Sequence, residues 1–482
     1  APGVETTTGP LGQGFANAVG MAIAERRLAA EFNRPGYPLV DHFTYVLSSD
    51  GCMMEGVTSE AASLAGHFQL GKLICLYDDN KITIDGKTDI TFTEDVGRRF
   101  EAYGWQVLKV DEGNRFELVE EALKEAREEE KRPTLIMVRT EIGYGSPNKQ
   151  GTSDAHGAPL GKEETELAKK NLGWPLEPLF YVPEEVRDHF AQLIDTQNAR
   201  KSEWSALLAD YEREYPELAD KWKTWHSGQL PDQLADDERL WQAGEKPEAT
   251  RSSSGRIMQV LSEHLTNLIG GAADLNASTK TYLKGHDDFS AESPGGSNIH
   301  FGVREHAMAA AISGISLHGG LRPFGSTFLV FFDYMKPAVR LAALMGLPVI
   351  YVYTHDSIAV GEDGPTHQPI EHLAHLRSIP NMHVLRPADG IETAASWLHA
   401  LQRRCGPSAL ILSRQNLPPL KGSGKEALRG GYVVGYEKGD HIDLIIIASG
   451  SELNLALEAQ RILEGWGYGI RVVSMVSREL FA

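Results

Sequence analysis

Hydrophobic residues in the first part of the chain come in short runs, separated by stretches with helical spacing. Phe43–Ser49 predicts a buried strand, Thr58–Phe68 a helix of small residues, and Lys72–Tyr77 a second strand. A helix of small residues is also predicted over Phe15–Ala30. Trp105–Val110, a charged helix over Arg115–Lys131 and a strand over Thr134–Val138 continue the alternation. Strand–helix alternation of this kind predicts an α/β chain built on a doubly wound parallel sheet. From Pro183 to Pro247 the pattern changes: charges are dense, with Trp204, Trp222, Trp225 and Trp241 among them. This predicts helices followed by an irregular linker, the indoles serving as packing anchors for half-polar helices.

After Arg251 the alternation restarts. Strands are predicted at Ile299–Phe301, Pro348–Tyr353, His383–Leu385 and Ala409–Leu412, with a buried, almost wholly apolar helix over Val303–Leu317. A third pattern begins near Gly431, with strand Leu444–Ala448, helix Leu453–Leu463 and strand Ile470–Val473. One βαβ unit does not cover both faces of a sheet, so this third domain is expected to be partial. A length of 482 residues suits about three domains.

Composition narrows the function classes. Hydrophobic residues make up 41% and charged residues 23%, an ordinary globular balance. The longest apolar runs, such as Thr327–Phe332 and Leu444–Ala448, are strand-sized and far below the ~18 residues of a membrane helix. A net charge of −19 disfavours non-specific binding to nucleic acid or anionic lipid. Cys52, Cys75 and Cys405 form neither a disulfide framework nor a metal knuckle, which points to a reducing, cytoplasmic setting.

Two turns carry candidate chemistry. Ser49-Asp50-Gly51 closes one predicted strand, and Asp78-Asp79-Asn80 closes the next. Ligands of doubly wound sheets bind off the carboxyl ends of strands, so Asp50 and Asn80 are expected at one edge. A carboxylate and an amide oxygen are hard ligands suited to Mg²⁺ or Ca²⁺, and such a cation would bridge to a diphosphate. Gly51 would let the backbone approach those phosphates. Two ordinary turns without a metal fit the same residues. The opening Thr6–Gly14 fails as a dinucleotide fingerprint, since Asn17 stands where Gly or Ala is wanted. It reads equally as an anion-holding helix entry or as a tight crossover loop.

The segments S-D-G-C-M-M-E-G (Ser49–Gly56) and Y-D-D-N-K-I-T-I-D-G (Tyr77–Gly86) closely resemble the thiamine diphosphate motif of transketolases, with Ser49 in place of the first Gly of the usual Gly-Asp-Gly. Five further segments resemble the same family in the same order. They are G-P-L-G-Q-G at Gly9–Gly14, S-D-A-H-G-A-P-L at Ser153–Leu160, F-G-V-R-E-H at Phe301–His306, the loop Thr354–Pro369, and L-S-R-Q-N at Leu412–Asn416.

The resemblance implies two doubly wound, parallel-sheet, thiamine diphosphate-binding domains plus a partial third α/β domain. Residues 1–222 would form the diphosphate- and metal-binding domain without its N-terminal part. Residues 223–250 would be a linker, 251–425 the pyrimidine-binding domain and 426–482 part of the C-terminal domain. Asp50 and Asn80 would ligate the divalent ion with the carbonyl of Ile82. Gly9, Leu11, Gly51 and His156 would border the cofactor, with Gly51 and His156 at its diphosphate, and Ile84 would pack on the thiazolium side. Phe328, Phe331 and Tyr334 would enclose the aminopyrimidine, and Asp274 and Leu275 would support the cofactor of a partner subunit. Arg251, Ser278, His355 and Arg414 would hold the sugar phosphate. Asp363 would read a substrate hydroxyl, and His367 would sit near the reacting carbonyl. Glu55 and Glu60 resemble interface glutamates. The implied protein is a cytoplasmic homodimer with active sites at the interface, acting on sugar phosphates in the pentose phosphate pathway.

The implied activity transfers a two-carbon glycolaldehyde unit from a ketose phosphate to an aldose phosphate through a thiamine diphosphate carbanion. The chemistry suits the residue types. A buried Glu305 carboxyl favours its neutral form and can share a proton with a pyrimidine ring nitrogen, activating a cofactor that then serves as electron sink. The other reading of Glu305 is a surface pair with Arg304. His355, Asp363, His367, His372 and His375 lack the spacing of a zinc helix, and Gly361, Gly364 and Pro365 make the segment a loop. Donors there suit phosphate and hydroxyl oxygens, while His372 and His375 read as structural. Family members carry further active-site histidines before G-P-L-G-Q-G. Two alternatives therefore stand beside the main reading: a dihydroxyacetone synthase-type ketol transfer and a non-catalytic cofactor-binding subunit.

Overall fold

The structure, a computed structural model, describes residues 3–6, 8–242 and 244–482. The chain divides into two compact units, over residues 6–223 and 224–482. In the first unit four parallel strands, β1 (Thr44–Ser49), β2 (Leu73–Asp79), β5 (Gln106–Val110) and β6 (Thr134–Arg139), pair in the order β1-β2-β6-β5. Between β2 and β5 lies a small antiparallel hairpin of β3 (Ile82–Thr83) and β4 (Gly86–Lys87). The inner strand β2 is buried along most of its length, as a strand covered on both faces must be. The edge strand β1 differs from its expected full burial: Tyr45 is 50% and Leu47 is 85% exposed, so only one face is covered. The small-residue helix runs Gln13–Phe32 and packs on helix Gly56–His67, whose alanines permit close approach.

Helices Glu184–Glu214 and Pro216–Ser227 occupy the charged stretch. The indoles there anchor as expected: Trp222 packs edge-on against Phe32 at 5.0 Å, and Trp225 is buried. Trp241 donates to the Ala235 carbonyl at 2.8 Å.

In the second unit five parallel strands, β7 (Leu268–Ala272), β8 (Arg322–Phe328), β9 (Ile350–Thr354), β10 (His383–Leu385) and β11 (Ser408–Leu412), pair as β10-β11-β9-β8-β7. Every residue of the central strand β9 is buried. Helix Glu305–His318 packs on helix Phe332–Leu344 and on β8. One expectation is corrected here. Ile299–Phe301 forms no strand; only an isolated bridge at Asn298 meets Gly270, because the glycines of β7 let this segment lie against the strand without pairing further. The apolar run Thr327–Phe332 covers the end of the strand at Phe328, a tight turn over Leu329–Phe331 and the start of the next helix.

The third sheet, β12 (Gly431–Gly435), β13 (Leu444–Ala448) and β14 (Ile470–Met475), has the order β12-β14-β13. β13 runs parallel to β14, and β12 runs antiparallel. No helix among the described residues is long and apolar enough to cross a membrane.

Candidate active site

In the first unit the site grows from the carboxyl ends of β1 and β2, which lie in register with Ser49 opposite Asp78. Ser49 has an extended backbone (φ −135°, ψ 171°), which any residue adopts, so a side chain in place of glycine costs nothing there. Asp50 follows and is 2% exposed. Its Oδ1 accepts from the Tyr77 hydroxyl at 2.7 Å, and its Oδ2 accepts from the Lys81 amide at 3.0 Å. Burial pushes the Asp50 carboxyl above its ordinary pKa; the Tyr77 hydrogen bond opposes this, and the charge of Asp79 adds to it. Next to Lys81, the Asn80 Oδ1 accepts from the Ile82 amide at 2.9 Å.

A carboxylate, an amide oxygen and the main chain of Ile82 thus occupy one strand-end cluster, a hard-oxygen set that fits a divalent cation. A negative buried carboxylate that burial penalises is the group a cation would stabilise. At Gly51 an added Cβ would come within 2.7 Å of Leu11 Cδ1, so this glycine is in close contact with the opening loop. Ile84 is 76% exposed on the hairpin turn between β3 and β4. Gly9 and His156 are exposed, and no hydrogen bond or ring contact among the described residues ties them to the Asp50 cluster.

In the second unit the strand ends carry the rest. Asp274 follows β7 with φ +59°, and Leu275 caps the short helix Asn276–Thr279, its carbonyl accepting from Ser278. Helix Thr250–His264 is tied to the end of β11: the Ser413 amide donates to Thr250 Oγ1 at 2.7 Å, and the Thr250 amide donates to Ser413 Oγ at 3.0 Å. Those bonds bring Arg251 beside Arg414. Arg251 Nη1 donates to the Ser278 carbonyl at 2.8 Å, and its Nε is buried without a partner. Burial and then the Arg414 charge lower the Arg251 pKa.

His355 follows β9 with φ +61° and is 3% exposed. Its Nδ1 lies 2.8 Å from Thr354 Oγ1, and its ring stacks on Phe328 at 3.7 Å. Its pKa is pushed down to about 3, by burial first and then by Arg251, Arg414 and His367, so the imidazole is neutral at physiological pH.

Phe331 lies parallel to Phe328 at 5.9 Å and meets the His367 ring edge-on at 5.4 Å and Tyr334 at 6.1 Å. The structure therefore gathers Arg251, Ser278, Arg414, His355, His367, Phe328, Phe331 and Tyr334 into one basic, aromatic-walled group. Asp363 is exposed in the loop after β9. Glu305 is the first residue of its helix and half-buried. His372 is buried with Nε2 3.3 Å from Asp333 Oδ2. Sequence reasoning missed Tyr77, Thr354, Thr250 and Ser413, which position the others. Tyr77 closes its predicted strand, and Thr354 and Ser413 directly follow theirs within segments that resemble the family, whereas Thr250 had no local signal.

Three family profiles match the chain. Residues 1–231 match "Transketolase, thiamine diphosphate binding domain". Residues 246–419 match "Transketolase, pyrimidine binding domain", and residues 430–482 match "Transketolase-like TK C-terminal domain". Transketolases of Geobacillus stearothermophilus and Bacillus subtilis (strain 168) are each 53% identical, over 100% and 99% of this chain and 72% of their own length. The solved transketolase from Leishmania mexicana is 47% identical with a TM-score of 0.96, covering 100% of this chain and 71% of its own. A transketolase complex with sedoheptulose-7-phosphate from Pichia stipitis is 43% identical with a TM-score of 0.96, covering 100% of this chain and 72% of its own. On its profiles, its relatives and its fold, the chain belongs to the transketolase family.

Proposed function

We propose that this chain transfers a two-carbon ketol unit from a ketose phosphate to an aldose phosphate, using thiamine diphosphate and a divalent cation. The carrying observation is the pairing of Arg251 and Arg414 beside neutral His355, with the Arg251 Nε buried and unpartnered. A guanidinium pair of this kind suits a phosphate dianion. The likeness to a Pichia stipitis transketolase in complex with sedoheptulose-7-phosphate supports a sugar phosphate as ligand.

Asp50, Asn80 and the Ile82 carbonyl would ligate Mg²⁺, or Ca²⁺ in its place. Gly9, Leu11, Gly51 and His156 would border the diphosphate half of the coenzyme, and Ile84 its thiazolium side. Phe328, Phe331 and Tyr334 would hold the pyrimidine, and Asp274 and Leu275 would support it. Bound thiamine diphosphate supplies a nucleophilic carbon and an electron sink. Glu305 would hold a proton at the pyrimidine ring nitrogen. His367 would donate to the substrate carbonyl oxygen, Asp363 would accept from a substrate hydroxyl, and Ser278 and His355 would complete the phosphate seat. Working as a homodimer, with Glu55 and Glu60 at the interface, and a place in the cytoplasm in pentose phosphate metabolism complete the reading.

The test is ketose-to-aldose transfer by the purified chain with added thiamine diphosphate and Mg²⁺, repeated with Glu305→Ala. Transfer by the parent and a loss exceeding a hundredfold in the variant, with coenzyme binding retained, are expected. Near-normal turnover in Glu305→Ala would overturn the role of Glu305. Coenzyme binding by the parent without transfer would make the chain a binding subunit.

A further inference from the structure

A second basic site lies at the opposite end of the five-stranded sheet. A cavity of about 200 Å³ opens there, lined by Trp225, His226, Ser316, Arg322, Arg403 and Arg404 among others. Arg322 begins β8, and Ile350 begins β9. His355 comes directly after the last residue of β9. The length of that strand, about 16 Å at roughly 3.3 Å per residue, therefore separates the cavity from the candidate phosphate seat.

The lining holds three guanidinium groups and no carboxylate, in a chain of net charge −19. Main-chain oxygens hold Arg322 and Arg404, whereas Arg403 also donates to the Asn381 carbonyl and side chain and is acted on by the Glu479 charge. Arg322 donates to Gly228 at 2.6 Å, Gln229 at 3.0 Å and Leu401 at 3.2 Å. Arg404 donates to Ser227 at 3.2 Å, and Arg403 to Gly406 at 2.9 Å. Burial, and then the Arg404 charge, lower the pKa of Arg322, as expected where two guanidiniums face each other.

The charge balance leaves room for an anion. Three helices end at this cavity: Pro216–Ser227, Glu305–His318 and Gly390–Gln402. Each helix C-terminus is equivalent to about −0.5 charge, so the three offset part of the guanidinium charge, and Glu479 offsets part of that on Arg403. The remaining positive charge centres on Arg322 and Arg404, whose guanidiniums face each other across the cavity, and such a pair suits a phosphate oxyanion. Arg404 is exposed and spends one of its N–H groups on Ser227, which leaves donors for an incoming oxyanion.

We propose that this cavity binds a phosphate group, free or as the ester of a small metabolite, at a site separate from the catalytic one. The test is calorimetric titration of the full chain carrying Arg251→Ala and Arg414→Ala, which removes the other phosphate seat. One arm uses inorganic phosphate and the other glycerol 3-phosphate. One saturable site is expected to remain, and a further Arg404→Gln is expected to weaken it at least tenfold. The glutamine keeps a donor for the Ser227 carbonyl and sits at an exposed position, so the fold is preserved. Arg322→Lys, which keeps the charge but loses the fork, is expected to weaken binding as well. Tighter binding of the ester identifies a metabolite, and tighter binding of the ion identifies free phosphate. No saturable binding in the doubly substituted background, or binding indifferent to both further substitutions, would overturn the proposal.

Discussion

Arg251 is held on one side only. Its Nη1 is fixed to the Ser278 carbonyl, whereas its Nε is buried without a partner and Arg414 stands close enough to lower its pKa. A buried donor without a partner costs about 1–3 kcal/mol, which an anionic ligand recovers on binding. Arg414 itself pairs with Glu362, an exposed carboxylate that a phosphate can displace. Arg414→Ala is therefore expected to raise KM for a phosphorylated acceptor about tenfold to a hundredfold, the value of one charge-assisted hydrogen bond, with little change in kcat. KM for unphosphorylated glycolaldehyde should stay within about twofold. Steady-state kinetics with the two acceptors decides it, and an equal rise for both would remove Arg414 from the phosphate seat. None of this pairing was legible in spacing, because the two arginines lie far apart in sequence and meet only through the Thr250–Ser413 bonds. Asp50 and Asn80 were legible, because each directly follows a strand whose hydrophobic run marks its end.

Strands were legible where their residues are branched or aromatic, as in β2 and β9, and hidden where glycine interrupts them. β7 reads Leu-Ile-Gly-Gly-Ala, too broken for a periodic signal, yet all five residues are buried. Its glycines exist for a neighbour. A Cβ at Gly271 would fall 1.9 Å from the Ile299 carbonyl oxygen, and the Ile299 amide donates to Gly270 at 2.7 Å. The segment that hydrophobicity marks as a strand is thus the lid of that edge, lying too close for any side chain between. Gly271→Ala must push backbone aside in a packed interior, at a cost of about 1–3 kcal/mol. The expected result is a Tm lowered by several degrees in thermal melting. Because β7 leads into Asp274 and Leu275, coenzyme affinity should weaken with it. An unchanged Tm would mean that the Ile299 segment yields freely.

At the scale of the whole second unit, the third sheet is joined to the five-stranded one through buried polar groups that no sequence pattern revealed. Arg386, after β10, donates to Asp356 Oδ2 at 2.8 Å and pairs with Glu452 at the start of helix Glu452–Gly465. Deeper in the junction, Glu392 of helix Gly390–Gln402 is fully buried. Its Oε1 accepts from the Tyr432 hydroxyl of β12 at 2.8 Å and from Ser474 of β14 at 2.6 Å, and its Oε2 accepts from the Ala388 amide at 2.7 Å. Burial, followed by the charge of Asp389, outweighs those hydrogen bonds and pushes the carboxyl up to about 7. The folded chain therefore holds this proton over a range in which the unfolded chain, titrating near 4.5, has released it. The contribution to stability is complete below pH 4.5, falls as pH rises toward 7, and is gone above it. The gap between the two values corresponds to about 3 kcal/mol. Glu392→Gln removes the titration and keeps a carbonyl for the two hydroxyls, though its NH₂ cannot accept from the Ala388 amide, so its Tm should rise relative to that of the parent from pH 5 to pH 8. Melting curves across that range test it, and a Tm difference independent of pH would show that Glu392 stays charged in the folded junction.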